Sequence, residues 1–140
     1  MRKTFTVRIA VRGYEIDAMG HLNGIIYYQY AEHARWELLR AAGVTYDELL
    51  ERGVGPVNLE TTMRVRNELR YGNEVDVSCV FHWGAGKSFR TEQEFHRTDG
   101  TLVAELFNVA GLMDRRARRL VADPGAHFRE LATTPELLGL

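Results

Sequence analysis

A chain of 140 residues, 45% hydrophobic and 26% charged, has the size and make-up of one globular domain, and at this length about two-thirds of the unfolded chain's surface can be buried. Eighteen Lys and Arg against nineteen Asp and Glu leave a net charge of -1, which excludes a nucleic-acid binder relying on bulk positive charge. The single cysteine, Cys79, excludes an intrachain disulfide and a cysteine-based zinc cluster, and no apolar run is long enough to span a bilayer. Met1 to Thr6 begin a strand pattern rather than a signal sequence. A cytoplasmic protein with one domain over residues 1–140 is expected, with neither membrane nor nucleic acid as a partner.

Phe5, Val7, Ile9 and Val11 alternate with Thr4, Thr6, Arg8 and Arg12, which predicts a half-buried strand. Gly13 to Asn23 is irregular and reads as a loop. Asn23 is a good N-cap and Gly43 a good stop, so a long helix is predicted between them. Tyr27, Tyr30, Ala31, Ala34, Leu38 and Ala41 give it one apolar face, with Glu32, Arg35, Glu37 and Arg40 largely elsewhere. The alanines on that face let the helix lie close to a sheet, which places it centrally. Thr45-Tyr46-Asp47-Glu48 is a capping box that opens a short helix to about Arg52. Gly53-Val54-Gly55-Pro56 breaks it.

Four strands follow. Between Val57 and Glu68, Val57, Leu59, Met63 and Val65 fall on one face and Asn58, Glu60, Arg64 and Arg66 on the other. Tyr71-Gly72-Asn73 turns, then Val75, Val77, Cys79, Phe81 and Trp83 alternate. Gly84-Ala85-Gly86 turns again, and Phe89, Thr91, Gln93 and Phe95 form the next strand. Thr98-Asp99-Gly100 is a strong hairpin signal. Thr101 to Met113 is apolar on both faces, as an interior strand is. Asp114 to Arg119 ends the sheet, and residues 121–140 form a polar tail with one short helix after Pro124, outside a core of about residues 5–120. The order predicts an α+β domain, a mostly antiparallel five-stranded sheet wrapped around one long helix, in which the first strand need not pair with the second.

Exclusion narrows the chemistry. Ser78 and Ser88 are the only serines and neither sits in a Gly-x-Ser-x-Gly elbow. Cys79 lies on the apolar phase of its strand, as a core thiol does. The five histidines are scattered without metal-ligand spacing, and no phosphate-binding glycine motif occurs. No metal and no cofactor is expected. What remains is Asp17-Ala18-Met19-Gly20-His21-Leu22-Asn23-Gly24, a carboxylate, an imidazole and an amide just ahead of a helix N-terminus. Free N–H groups and the positive end of the helix dipole there suit an oxyanion. Gly24 lets a carbonyl approach its N–H, and Asp17 can serve as nucleophile or general base. The same residues also suit plain duties: Asp17 capping a turn, Asn23 capping the helix, His21 hydrogen-bonded in the loop. Glu32 and Glu60 are further carboxylates, each also readable as a solvated surface group.

This loop, with Tyr27-Tyr28-Gln29-Tyr30-Ala31-Glu32-His33-Ala34-Arg35 after it, resembles the 4-hydroxybenzoyl-CoA thioesterase-like branch of the hotdog-fold superfamily. Leu69-Arg70-Tyr71-Gly72-Asn73-Glu74-Val75 resembles a turn of that family, with Asn73 in place of its acid. Lys87-Ser88-Phe89 and Asp99-Gly100-Thr101-Leu102-Val103-Ala104 match later strands. The resemblance covers about residues 5–120 and implies the hotdog fold and hydrolysis of an acyl thioester of coenzyme A or acyl carrier protein. It implies a homodimer or homotetramer with active sites at the subunit interface. Asp17 matches the catalytic carboxylate and Gly24 the oxyanion donor. His21 and Asn23 match supporting polar positions, Tyr27 or Tyr28 would line the pocket, and Lys87, Ser88 and Arg90 lie where related enzymes meet the pantetheine and nucleotide. Arg64, Arg66 and Arg70 suit an acidic carrier protein or a solvated strand face. A second reaction, addition of water or an amine to an α,β-unsaturated thioester, would draw on His21 paired with Asp17, or on Glu60 from the neighbouring chain. A third reading is an acyl-binding protein without turnover.

Overall fold

The computed structural model describes residues 4–140; the strand pattern expected to start at Met1 to Lys3 lies partly outside them. The chain runs β1 (Thr6–Ala10), a 3-10 turn (Gly13–Glu15), α1 (Gly24–Ala41), α2 (Tyr46–Arg52), β2 (Val54–Val65), β3 (Glu74–Ser78), β4 (Val80–Trp83), β5 (Ser88–Arg97), β6 (Leu102–Asp114), β7 (Arg119–Leu120), α3 (Pro124–Leu131) and a second 3-10 turn (Pro135–Leu138). The helix signals act as written. The Asn23 side chain accepts the Ile25 N–H at 3.1 Å. Gly43 follows α1 at φ +92°, a backbone state cheap only for glycine. The Thr45 hydroxyl accepts the Glu48 N–H at 3.2 Å and donates to the Glu48 carboxylate at 3.0 Å, which caps α2; the Glu48 carboxylate meets the hydroxyl rather than the Thr45 N–H of a full capping box.

All pairings are antiparallel, in the order β1-β3-β5-β6-β2. β1 therefore pairs with β3 rather than β2. β3 and β4 are one strand in two pieces, both against β5, interrupted at Cys79 where the N–H turns to the Phe5 carbonyl at 3.1 Å. β7 adds two residues to β6. The five long strand positions are those expected, curled around α1. Ala31 and Ala34 are wholly buried, which lets the helix lie on the sheet. Two core clusters result. One packs Tyr27, Tyr30 and Ala31 on Val77, Phe95 and Leu106; the other packs Leu38 and Leu39 on Phe81, Phe89 and Phe128.

Three expectations are corrected. β2 begins at Val54, not Val57, and Pro56 pairs within it opposite Leu112. β2 is an edge strand, where a residue without an N–H is tolerated. Leu59 does not continue the apolar face. The register slips between Asn58 and Glu60, so Leu59 is the extra residue of a β-bulge, 51% exposed, while Asn58 turns towards the helix. The tail is part of the core. Phe128 is wholly buried, Leu138 nearly so, and the Trp83 indole N–H donates to the Leu138 carbonyl at 2.6 Å. Among the described residues no helix is long and apolar enough to cross a membrane.

Candidate active site

Residues 16–24 fold back on themselves. Ile16 and Leu22 form an antiparallel bridge, the Asp17 N–H donates to the His21 carbonyl at 2.9 Å, and Gly20 takes φ +86° in the bend between. The loop's exit is anchored twice, by Leu22 N–H on the Leu69 carbonyl at 2.7 Å and by Asn23 N–H on the carbonyl of Glu15, just before the loop, at 2.9 Å. Glu15 itself is buried. Its carboxylate accepts the Tyr30 hydroxyl at 2.5 Å and the Arg12 N–H at 3.0 Å, which ties the loop's entry to α1. Sequence reasoning passed Glu15 over. A polar residue in a glycine-started loop carries no burial signal, and its partner lies fifteen residues away on the helix.

Within this frame Asp17 and His21 meet. His21 Nδ1 stands 3.3 Å from Asp17 Oδ2, and Asp17 Oδ1 accepts the N–H groups of Met19 at 2.9 Å and His21 at 3.4 Å. Both are part-exposed. Asp17 does cap its turn and Asn23 does cap the helix, yet neither duty removes the carboxylate from the surface. The Asn23 side chain and carbonyl engage the N–H groups of Ile25 and Ile26, which leaves the Gly24 N–H as the helix-start donor that Asn23 does not take. A Cβ on Gly24 would meet nothing within 4 Å, so the space beside its Cα is open.

Asp17, His21, Gly24 and Tyr27 line one cleft of about 350 Å³ with the end of β2 and the segment after it, Val65 to Glu68. Tyr27 is buried with its ring tilted against Phe95, centroids 5.6 Å apart, and burial pushes its hydroxyl pKa up. Tyr28 is exposed and does not line this cleft. Two of the basic strand residues are already paired, Arg66 with Glu105 at 2.9 Å and Arg70 with Glu68 at 2.7 Å; the latter contact holds Glu68 below the usual carboxylate range.

The remaining site candidates lie elsewhere on the chain. Glu60 and Arg90 share a shallow groove of about 100 Å³ on the outer face of the sheet, with Thr62 and Phe107. Lys87 is in the exposed β4–β5 turn and Ser88 opens β5 opposite Gly111. The Asp17 cleft adjoins Val65, which pairs with Ala104. Seven residues of β6 separate these levels, roughly 23 Å at strand rise. Within one chain Lys87, Ser88, Arg90 and Glu60 do not meet Asp17. Cys79 is buried and its thiol is pushed up to about 12, so it is no nucleophile. No group of three His, Cys, Asp or Glu side chains suited to a metal occurs among the described residues.

The sequence pattern of the Thioesterase-like superfamily matches residues 11–135. The chain belongs to this superfamily. Over 79 residues, 56% of its length, it is 34% identical to the acyl-acyl carrier protein thioesterase ATL3, chloroplastic, of Arabidopsis thaliana. The matched segment is 42% of that relative's length, and 57% of a second relative's, from Aquifex aeolicus, which is 33% identical over 73 residues. Among solved structures, a hypothetical protein from Thermus thermophilus is similar over 92% of this chain and 97% of its own, with a TM-score of 0.81 and 28% identity. A 1,4-dihydroxy-2-naphthoyl-CoA thioesterase from Synechocystis covers 86% of this chain and 89% of its own at TM-score 0.79 and 14% identity. The fold this superfamily member shares with them is the hotdog, as expected from the sequence.

Proposed function

We propose that the protein hydrolyses an acyl thioester, with the Gly24 N–H binding the thioester oxygen and Asp17 acting as nucleophile or general base. The observation that carries this reading is the shared cleft. A carboxylate, held by two backbone N–H groups and a histidine, opens beside a bare helix-start N–H. A helix-start N–H in the cleft suits an oxyanion, and the helix dipole adds to it. His21 orients the Asp17 carboxylate from its Oδ2 side. The leaving thiolate, with a pKa of about 8.5 by analogy with a free thiol, departs without a strong acid, which suits a site with so few groups. Membership of the superfamily and the likeness to the plant carrier-protein thioesterase support the same reaction. A coenzyme A or carrier-protein ester is the substrate class.

β2 gives the reading a place for a second copy. It is an edge strand, twelve residues long, paired on one side only and carrying exposed Leu59 and Val65. Antiparallel pairing of two such strands about a two-fold axis brings the start of one beside the end of the other, and so carries the far end of one sheet towards the partner's Asp17 cleft. Lys87, Ser88 and Arg90 would then meet the substrate's phosphates from the partner's side.

Addition to an α,β-unsaturated thioester is the second reading. The 3.3 Å contact between His21 and Asp17 favours it as an acid/base pair. Glu60, on the outer face, supplies no second group from the same chain. The test is thiol release from a panel of saturated, unsaturated and aromatic acyl-CoA and acyl-carrier-protein esters, with Asp17→Asn alongside and mass spectra of the unsaturated reactions. Asp17-dependent thiol release is expected. An adduct mass without thiol release would move the assignment to addition, and binding without either would end the enzyme reading.

A further inference from the structure

A second cavity, of about 230 Å³, lies between the middle of α1 and the concave face of the sheet. Its walls are apolar on one side, with Trp36, Phe81, Phe89 and Phe128, and polar on the other, with Arg35 and Thr91. Almost every polar group of this layer is satisfied from within. The Thr61 hydroxyl donates to Asn108 Oδ1 at 2.6 Å, and Asn108 Nδ2 donates to Asn58 Oδ1 at 2.9 Å. Gln93 donates to the Ala31 carbonyl at 2.9 Å and accepts from Arg35 at 3.0 Å. Thr91 is the exception. It is 1% exposed, it lines the cavity, and its hydroxyl has no hydrogen-bond partner among the described residues. Valine has the same shape and would avoid the cost of an unmet buried hydroxyl. Arg35 tells the same story. Sequence reasoning set it on the solvent side of α1, but it is half-buried and gives one of its five N–H donors to Gln93.

We propose that this cavity binds an apolar group ending in a neutral oxygen, a hydroxyl or a carbonyl, received by the Thr91 hydroxyl and the Arg35 guanidinium. The aromatic wall takes the body of the group, and the unpartnered Thr91 hydroxyl and the Arg35 guanidinium take its oxygen. A carboxylate is disfavoured because Glu32, also in the lining, sets a second negative charge beside it. The volume falls below the ~300–1,000 Å³ of pockets that hold a whole small ligand, so the cavity receives part of a larger one. On the thioesterase reading, on which this last step rests, that part is the far end of the acyl group. Asn58 of the cavity lies near the middle of β2 and Val65 of the Asp17 cleft at its end, and antiparallel pairing with a second copy's β2 would carry that end towards the partner's first half.

The cavity is tested without turnover. p-Cresol and p-xylene have one shape and differ in a hydroxyl against a methyl. Their binding to the full-length protein is followed through the NMR shifts of the Trp36 indole N–H and the Thr91 amide. p-Cresol is expected to bind roughly tenfold more tightly, the scale of one hydrogen bond. Thr91→Val is expected to remove the preference without lowering Tm, since the hydroxyl has no partner to lose; Thr91→Ser is expected to keep it. Ala110→Leu, which fills the cavity, is expected to stop both probes. Equal binding of the two probes, or a preference that survives Thr91→Val, overturns the proposal, and so does a loss of Tm in Thr91→Val. The acyl assignment is read separately, from acyl-CoA pairs of equal length with and without a terminal hydroxyl. Asp17-dependent hydrolysis that favours the hydroxylated ester, and loses that favour in Thr91→Val, supports it; hydrolysis without discrimination overturns it. Probe binding with no hydrolysis of any ester would leave the cavity standing and remove the thioesterase reading instead.

Discussion

Replacing Tyr30 with Phe removes one oxygen from the clamp that holds the Asp17 loop. Tyr30 and Glu15 are both buried, and the Tyr30 hydroxyl donates to Glu15 Oε1 at 2.5 Å. In the variant that carboxylate keeps the Arg12 N–H at 3.0 Å and the Arg12 guanidinium at 3.6 Å but loses its one buried side-chain donor. A hydrogen bond to a charged group is worth about 1.5–3 kcal/mol, and leaving the acceptor buried and unmet puts the loss in the same range. Some is recovered, because a polar cavity of about 280 Å³ beside Tyr30 and Glu15 can admit water to the carboxylate. A loss of about 2 kcal/mol is expected, which for a chain of this size is a fall in Tm of roughly 6 °C. Urea unfolding at neutral pH measures it, and a double-mutant cycle with Glu15→Gln gives the pair's coupling. Burial and the neighbouring Glu15 carboxylate also push the Tyr30 pKa well up. The folded state therefore keeps the phenol proton where the unfolded chain loses it. That contribution is whole below about pH 10, the free tyrosine value, and is lost as pH rises above it. The Tyr30→Phe variant should lack this part of the alkaline slope. A loss under ~0.5 kcal/mol with an unchanged alkaline slope would refute the reasoning, since no named mechanism would then be acting.

Gly24→Ala should separate activity from stability. The added methyl meets nothing, and alanine in a helix is favoured over glycine by about 0.5–1 kcal/mol, so Tm should hold or rise while thiol release falls. Asp17→Asn should lower turnover by roughly 10²–10⁴-fold, the scale of a positioned proton-transfer group, with the far-ultraviolet circular dichroism unchanged. Phe128→Ala should cost about 3–5 kcal/mol by chemical denaturation, because the ring is wholly buried against Trp83 and Phe89. A surface value near zero there would mean that α3 is not part of the core.

What was legible in the sequence is what is local. Asn23 and Gly43 mark the ends of α1, Thr45 and Glu48 open α2, and Thr98-Asp99-Gly100 turns β5 into β6, each through bonds spanning a few residues. The Asp17–Gly24 loop was legible for the same reason, being contiguous. The rest depends on partners far along the chain. Leu59 follows the apolar alternation faithfully, and only pairing with β6 reveals the bulge that turns it outward and Asn58 inward. Phe128 and Leu138 look isolated in a polar tail until Trp83 and Phe89 close over them. Thr91 and Asn108 read as strand-face polar residues. Their register, Thr91 opposite Asn108 and Thr61 opposite Asn108, is what gathers them under Arg35.

The bulge at Leu59 gives β2 two unlike halves. Before it, Pro56 and Asn58 face the polar cavity under the middle of α1; after it, Val65 leads into the Asp17 cleft at the helix start. Asn58 pairs with Ala110 and Val65 with Ala104, so six residues of β6, about 20 Å, lie between the two levels. An acyl group held by its carbonyl at Gly24 would have to run that distance along the chain's own sheet to reach Thr91. The apolar packing of Tyr27, Ala31 and Leu106 fills the path within the core. A two-fold partner at the free edge of β2 shortens it, because antiparallel pairing sets the first half of one strand beside the second half of the other. The bend that exposes Leu59 stands near the middle of β2, where such an axis would pass. On the proposed pairing, the bulge that hides in the strand's alternation would leave the two halves of a site apart in a single chain and draw them nearer in a pair of chains.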